Sequence, residues 1–187
     1  MVKKNACVFI SGQGTNLKNL IRRSRDNSFP INIKLIVTNN GKAYGINYAK
    51  NNSIPYLIIN TNIRNYENKI FEALRKRKIT FICLAGYMKI ISKNLISIFK
   101  EKIVNIHPSL LPKYKGLNTF KRIIKDKEAR TGCTVHYVNE KLDGGRIIAR
   151  KSFYINSFDN EKTLKNKTQK LEYKVLPQSI IEIFRNN

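Results

Sequence analysis

An α/β fold built on a mostly parallel, twisted sheet is what this sequence predicts, and three observations predict it. Short apolar runs alternate with helical patterns through the first half of the chain. One of those runs, Thr80–Ala85, is apolar almost throughout, as a parallel strand covered on both faces requires. After His107 the alternation gives way to two strands flanking a Gly-Gly loop, then one long helical pattern.

The elements follow in order. Ala6–Ile10 reads as a buried strand and Thr15–Asn27 as a helix, with Thr15 a candidate N-cap. Ile31–Thr38 is β-branched and extended, Ala43–Asn52 is helical, and Pro55–Ile59 is a short strand. Ile63, Tyr66, Ile70 and Leu74 share one face of a helix expected over Ile63–Lys78. Strand Thr80–Ala85, helix Ser92–Phe99 and strand Lys102–Ile106 complete the alternation. Such a β-α-β order implies a Rossmann-like, doubly wound sheet. Pro108 and Pro112 make Pro108–Gly116 a loop. Thr119–Lys125 resumes as a helix, and Gly132–Val138 with Ile147–Tyr154 forms an antiparallel pair around Glu140–Gly145. Asp159 or a neighbour should cap the terminal helix, whose apolar face includes Leu164, Leu171 and Val175, with a kink expected at Pro177. With no repeat and no low-complexity linker, residues 1–187 read as one domain.

Composition narrows the function. An apolar content of 42% excludes disorder. No apolar run approaches the roughly 20 residues that span a bilayer, and no secretory signal opens the chain, so a cytoplasmic protein without a membrane partner is expected. Cys7, Cys83 and Cys133 lie far apart in strand-like runs and read as buried hydrophobes; no Cys-x-x-Cys spacing suggests a metal. The net charge of +24 raises a nucleic-acid reading. Its lysines are spread from Lys3 to Lys174, however, and Lys, Asn and Ile make up about two-fifths of the chain. All three have AT-rich codons, so compositional drift accounts for the charge and no specific nucleic-acid partner is expected.

Three motifs carry chemistry. Ser11-Gly12-Gln13-Gly14-Thr15-Asn16 joins the first strand to the first helix, where free backbone N–H groups suit phosphate. Leu17 stands where the dinucleotide fingerprint needs glycine, so the motif alone fits a tight turn equally well. In Asn105-Ile106-His107, residues i and i+2 at a strand end point to the same side, at the sheet edge where open α/β folds bind ligands. The same His107 could instead cap the strand; His136, within a strand, reads as a structural histidine. Asp143 precedes Gly144-Gly145, a turn signal that would also let a loop bring its carboxylate over a reacting centre. An amide, an imidazole and a carboxylate together suit acyl transfer between nitrogens.

In this order, with Leu84-Ala85-Gly86-Tyr87-Met88, N-I-H-P-S-L-L-P-K-Y, T-V-H-Y-V and L-D-G-G, the chain resembles the phosphoribosylglycinamide formyltransferases from about Val8 to Pro177. The resemblance implies formyl transfer from 10-formyltetrahydrofolate to glycinamide ribonucleotide in de novo purine synthesis, without a metal. It implies Asn105, His107 and Asp143 as the catalytic trio. It places the ribonucleotide on Gly14, Thr15, Asn16, Gln169 and Glu172. The folate would lie against Arg64, Met88, Lys89, Ile90, Ile91, Asn105, Asn139, Glu140, Lys141, Leu142 and Asp143. Lys115, Asn118 and Lys89 depart from the residues common in that family. A monomer or weak homodimer is the expected assembly.

Two relatives share the chemistry. Methionyl-tRNA formyltransferase normally adds a C-terminal tRNA-binding domain, and only three residues follow Phe184 here. Formyltetrahydrofolate hydrolase usually carries an N-terminal regulatory domain and departs from H-P-S-L-L-P. A nucleic-acid-binding protein that kept only the fold would have no reason to retain all three catalytic groups.

Overall fold

The computed structural model describes residues 2–185. It contains seven strands and six helices, and the chain divides into two compact units, one ending at Ile103 and one starting at Val104.

The first unit holds β1 (Lys4–Ile10), α1 (Thr15–Ser24), β2 (Ile31–Thr38), α2 (Gly45–Asn51), β3 (Tyr56–Ile58), α3 (Tyr66–Lys76), β4 (Phe81–Leu84) and α4 (Lys93–Ile98). Its strands run in the order β3-β2-β1-β4, and every neighbouring pair is parallel. β4 is buried at all four residues and β1 from Ala6 onward, which explains their continuous apolar runs. Each parallel step needs a crossover, and the helices supply it. On α1 the buried positions are Asn16, Leu17, Leu20 and Ile21, one stripe of an amphipathic helix.

Two local expectations are corrected. Helix α3 begins at Tyr66, because Asn65 at its N-cap has φ 62 and ends the helical path. Ile63 therefore lies before the helix and is 54% exposed. Thr15 is the first residue of α1, not its cap; the cap position belongs to Gly14 with φ 68. A Cβ on Gly14 would sit 2.7 Å from Gly45 Cα, so close backbone packing against the start of α2 also requires glycine.

The second unit begins with most of β5 (Ile103–His107) and continues through α5 (Thr119–Lys125), β6 (Arg130–Tyr137), β7 (Ile147–Tyr154) and α6 (Glu161–Arg185). β6 pairs antiparallel with β7, as expected, and β5, read from sequence as part of the parallel alternation, pairs antiparallel with β6. Asn160, the neighbour of Asp159, caps α6: the N–H groups of Lys162 and Thr163 both donate to its Oδ1 at 3.0 Å. Asp159 supports the cap by accepting from Thr163 Oγ1 at 2.8 Å. Leu164, Thr168, Glu172, Val175, Ile180 and Ile183 are buried along α6, whereas Leu171 is half-buried. Cys7, Cys83 and Cys133 are buried free thiols in β1, β4 and β6.

Gly14→Ala should lower unfolding stability by about 1–3 kcal/mol, from positive φ and the clash with Gly45 together. Urea unfolding followed by circular dichroism checks this; a loss below about 0.5 kcal/mol would contradict it.

Candidate active site

The second unit gathers the three motif residues into one cluster. β5 presents Asn105 and His107, and the β6–β7 loop delivers Asp143. Asn105 Nδ2 lies 3.4 Å from Asp143 Oδ1, and His107 Nδ1 lies 3.3 Å from Asp143 Oδ2. The Gly116 N–H donates to the same Oδ2 at 2.8 Å. The His107 and Asp143 side chains are only 7% and 8% exposed, so water competes weakly for these contacts.

A fourth group, which the sequence reading set aside as structural, joins them. In the β5–β6 register Asn105 stands opposite His136. His136 Nε2 is 3.2 Å from Asn105 Nδ2 and 3.6 Å from Asp143 Oδ1. Its Nδ1 meets the carbonyl of Tyr137 at 2.8 Å and must carry the proton donated there. Only strand register, not the spacing of motifs, reveals this pairing.

The loop after β5 is fixed from below. Directly opposite His107 stands Thr134, whose Oγ1 donates to Ser109 O at 2.7 Å and accepts from Leu111 N–H at 3.0 Å. Arg150 donates to Leu111 O at 2.8 Å, and Ser109 Oγ donates to Lys113 O at 2.6 Å. These bonds bring the Tyr114 carbonyl to 2.8 Å from His107 Nε2, which donates to it.

The second loop corrects the reading of its glycines. Asn139 Oδ1 accepts from Lys141 N–H at 3.0 Å, and Lys141 O accepts from Gly144 N–H at 3.0 Å, closing a tight turn. The left-handed residue in it is Asp143 itself, with φ 45. Gly145 is required by crowding, since a Cβ there would lie 1.7 Å from Tyr137 O. The glycines thus fit the turn against β6 and do not loosen it.

Electrostatics set the charge states. Burial pulls the His107 imidazole below the ordinary histidine value, while the Asp143 carboxylate and the Tyr114 carbonyl push it back up. Burial also works against ionised Asp143, but His136, the Gly116 N–H and the charge of His107 outweigh it and hold the carboxyl at about 2. Asp143 is therefore an anion at neutral pH.

The remaining expected residues fall in both units. Gln169 is half-buried and Glu172 buried on α6; burial, with the Glu172 charge adding to it, pushes the Cys133 thiol in β6 up to about 12. Asn139, Glu140, Lys141 and Leu142 are exposed on the Asp143 loop. In the first unit, Gly14 is the N-cap of α1, and Thr15 and Asn16 are its first two residues, at the end of the turn from β1. Ser11 ties that turn to the Met88 segment: its Oγ donates to Asn39 Oδ1 at 2.5 Å and accepts from Met88 N–H at 2.8 Å. Met88 and Ile90 are 60% and 78% exposed, Lys89 and Arg64 are also exposed, and Ile91 is buried. Among the described residues no group of three or more His, Cys, Asp or Glu side chains is arranged to hold a metal ion.

Residues 4–180 match the family model described as formyl transferase. The chain belongs to the formyl transferase family. It is therefore an enzyme, and its relatives among formyl transferases are specific. It is 39% identical over 178 residues to the phosphoribosylglycinamide formyltransferase of Haemophilus influenzae, covering 93% of this chain and 84% of that one. A crystal structure of phosphoribosylglycinamide formyltransferase from Bacillus halodurans superposes with TM-score 0.92 at 32% identity, covering 96% of this chain and 95% of that one. The corresponding Anaplasma phagocytophilum structure gives TM-score 0.91 at 32% identity, with 98% and 88% covered. The Rossmann-like formyltransferase fold expected from the sequence is thus the fold of this family member.

Removing the Asp143 charge should lower the His107 pKa further. The chain has only two histidines, so NMR titration of the imidazole resonances resolves His107 in wild type and in Asp143→Asn. A higher or unchanged His107 pKa in the variant would contradict the coupling.

Proposed function

We propose that this enzyme transfers the formyl group of 10-formyltetrahydrofolate to the amine of glycinamide ribonucleotide, in de novo purine synthesis. The observation that carries the reading is the contact of the Asn105 amide and the His107 imidazole with one buried carboxylate, Asp143. The names of the relatives at 32–39% identity support the substrate.

The chemistry assigned to each group follows from its atoms. As the amine nitrogen bonds to the formyl carbon, the carbonyl electron pair moves to oxygen. Asn105 offers an N–H to that oxyanion; its 3.4 Å contact with Asp143 is at the long limit of a hydrogen bond and is the one readily exchanged. His107 stabilises the same charge through a ring N–H, and the anionic Asp143 favours the imidazolium. Asp143, through a water, takes the proton from the attacking amine. It helps return one to the folate nitrogen as the carbon–nitrogen bond to it breaks. The products are a formamide and the secondary amine of the folate, with no covalent enzyme intermediate and no metal required.

Binding roles belong to the same reading. Gly14, Thr15 and Asn16 would hold the ribonucleotide phosphate, with Gln169 and Glu172 on its other groups. Arg64, Met88–Ile91 and Asn139–Asp143 would surround the folate; exposed Met88, Ile90 and Leu142 offer the apolar surface a flat ring needs. One formyltransferase domain would span both units, a reading supported by a single family match over residues 4–180. We place it in the cytoplasm, acting on small molecules as a monomer or weak homodimer, without a specific nucleic-acid or membrane partner. Among the described residues no helix is long and apolar enough to cross a membrane.

A formyl-transfer assay with 10-formyl-dideazafolate tests the substrate, with glycinamide ribonucleotide, methionyl-tRNA or buffer as acceptor. Turnover with the ribonucleotide alone is expected; turnover only with tRNA or water would overturn the assignment. Asp143→Asn should lower kcat by about 100-fold or more with ribonucleotide affinity preserved. A kcat within a few-fold of wild type would contradict the proton-transfer role.

A further inference from the structure

Both catalytic partners with titratable side chains lean on one short stretch of backbone. His107 Nε2 donates to Tyr114 O at 2.8 Å, and Gly116 N–H donates to Asp143 Oδ2 at 2.8 Å. Residues 114–116 thus carry one acceptor and one donor that orient the two groups. This stretch is not regular structure. Tyr114 has φ 59 and Gly116 has φ 75, so the chain turns sharply at both positions. Something must hold it there.

The Tyr114 side chain is what does so. Arg122 of α5 lies over its ring, 5.6 Å from the centroid. The same guanidinium donates to Lys115 O, gripping the backbone next to the ring. Past the C-terminus of α5, Asp126 Oδ2 and Glu128 Oε1 each lie 2.9 Å from the Tyr114 hydroxyl, which donates to one of them at a time. Lys113 pairs with Glu128 at 2.7 Å and closes the clasp from the other side. The ring is half-buried, but Asp126 and Lys113 are exposed. Bonds to such exposed charges are weakened by water. The ring seated under Arg122 is therefore the principal anchor, and the hydroxyl a secondary one.

We infer that Tyr114 is a positioning residue of the active site: its ring, held on α5 by Arg122, fixes the 114–116 backbone that orients His107 and Asp143. This rests on the formyl-transfer reading for its kinetic consequence, but its structural consequence can be read without turnover.

Asn and Gly accept φ near +60° most readily, so Tyr114→Asn and Tyr114→Gly remove the ring without straining the turn. Either serves if the other does not fold by circular dichroism. Tyr114→Phe keeps the ring under Arg122 and removes only the hydroxyl. The measurements are the NMR titration of His107, and kcat and KM with both substrates. The expected result is a His107 pKa lowered in the Asn and Gly variants, as the bond to the Tyr114 carbonyl loosens. Their kcat should fall about 10- to 100-fold, the scale of a misplaced catalytic group, with KM within about threefold. Tyr114→Phe should restore both readouts to near wild type. Wild-type titration in the ring-less variants would overturn the inference whether or not the ribonucleotide is the acceptor. A kcat loss without a shifted titration, or a Phe variant as impaired as Asn, would overturn it too. If wild type turns over no ribonucleotide yet the titration shifts as expected, the substrate reading fails and the positioning role stands.

Discussion

One buried carboxylate organises the candidate site of the second unit. Asp143 accepts from Gly116 N–H, faces His107 across 3.3 Å and receives Asn105 at 3.4 Å. An anion so enclosed is costly unless every neighbour supplies a donor or a positive charge. The surrounding architecture meets that requirement. Strand register puts Asn105 beside His136, and Thr134 pins the loop that returns Tyr114 and Gly116 to the site. The Asp143 turn is locked against β6 by crowding at Gly145. Remove the anion, and the donors around it are left facing one another with nothing to accept.

The same arrangement suits the two roles proposed for the site, charge stabilisation and proton transfer. The His107 imidazole and the Asp143 carboxylate lie 3.3 Å apart, so the proton affinity of each depends on the other. Burial disfavours charge on His107, while the neighbouring anion favours it. Such opposed influences leave the ring able to change state when a further negative charge develops beside it. In the proposed reaction that charge is the oxyanion. The fold supplies the poise by holding both ring nitrogens of His107 against acceptors, one from a side chain and one from backbone.

Much of this was legible in the amino-acid sequence. Apolar runs and periodicity placed every strand and helix, and the bounds of β2, α5 and β7 agree residue for residue. The trio was legible because amide, imidazole and carboxylate stood in motifs with strand-end and turn signatures. What escaped was set by tertiary contact. His136 looked like an interior strand histidine, since nothing local says which residue an antiparallel partner places opposite. The contributions of Tyr114 and Gly116 come from backbone atoms, which carry no side-chain signature. The left-handed backbone falls on Asp143 and not on the adjacent glycines, because crowding against Tyr137 fixes Gly145 instead. Gly14 took the cap expected of Thr15 for a similar reason: α2 packs against it.

The ionisation of Asp143 is the measurement on which this account turns. With carboxyl-labelled aspartate, the side-chain ¹³C shift of Asp143 is followed as pH falls from neutral. Its folded-state pKa lies below the ordinary aspartate value of 3.8, at about 2. The stability it contributes is thus complete above the ordinary value and lost only as pH falls toward the lower one. The resonance should remain at its ionised position at pH 3.8, where an ordinary aspartate is half protonated. A midpoint at or above 3.8 would show that His107, His136 and Gly116 do not hold an anion between them, and the account of the site would fail.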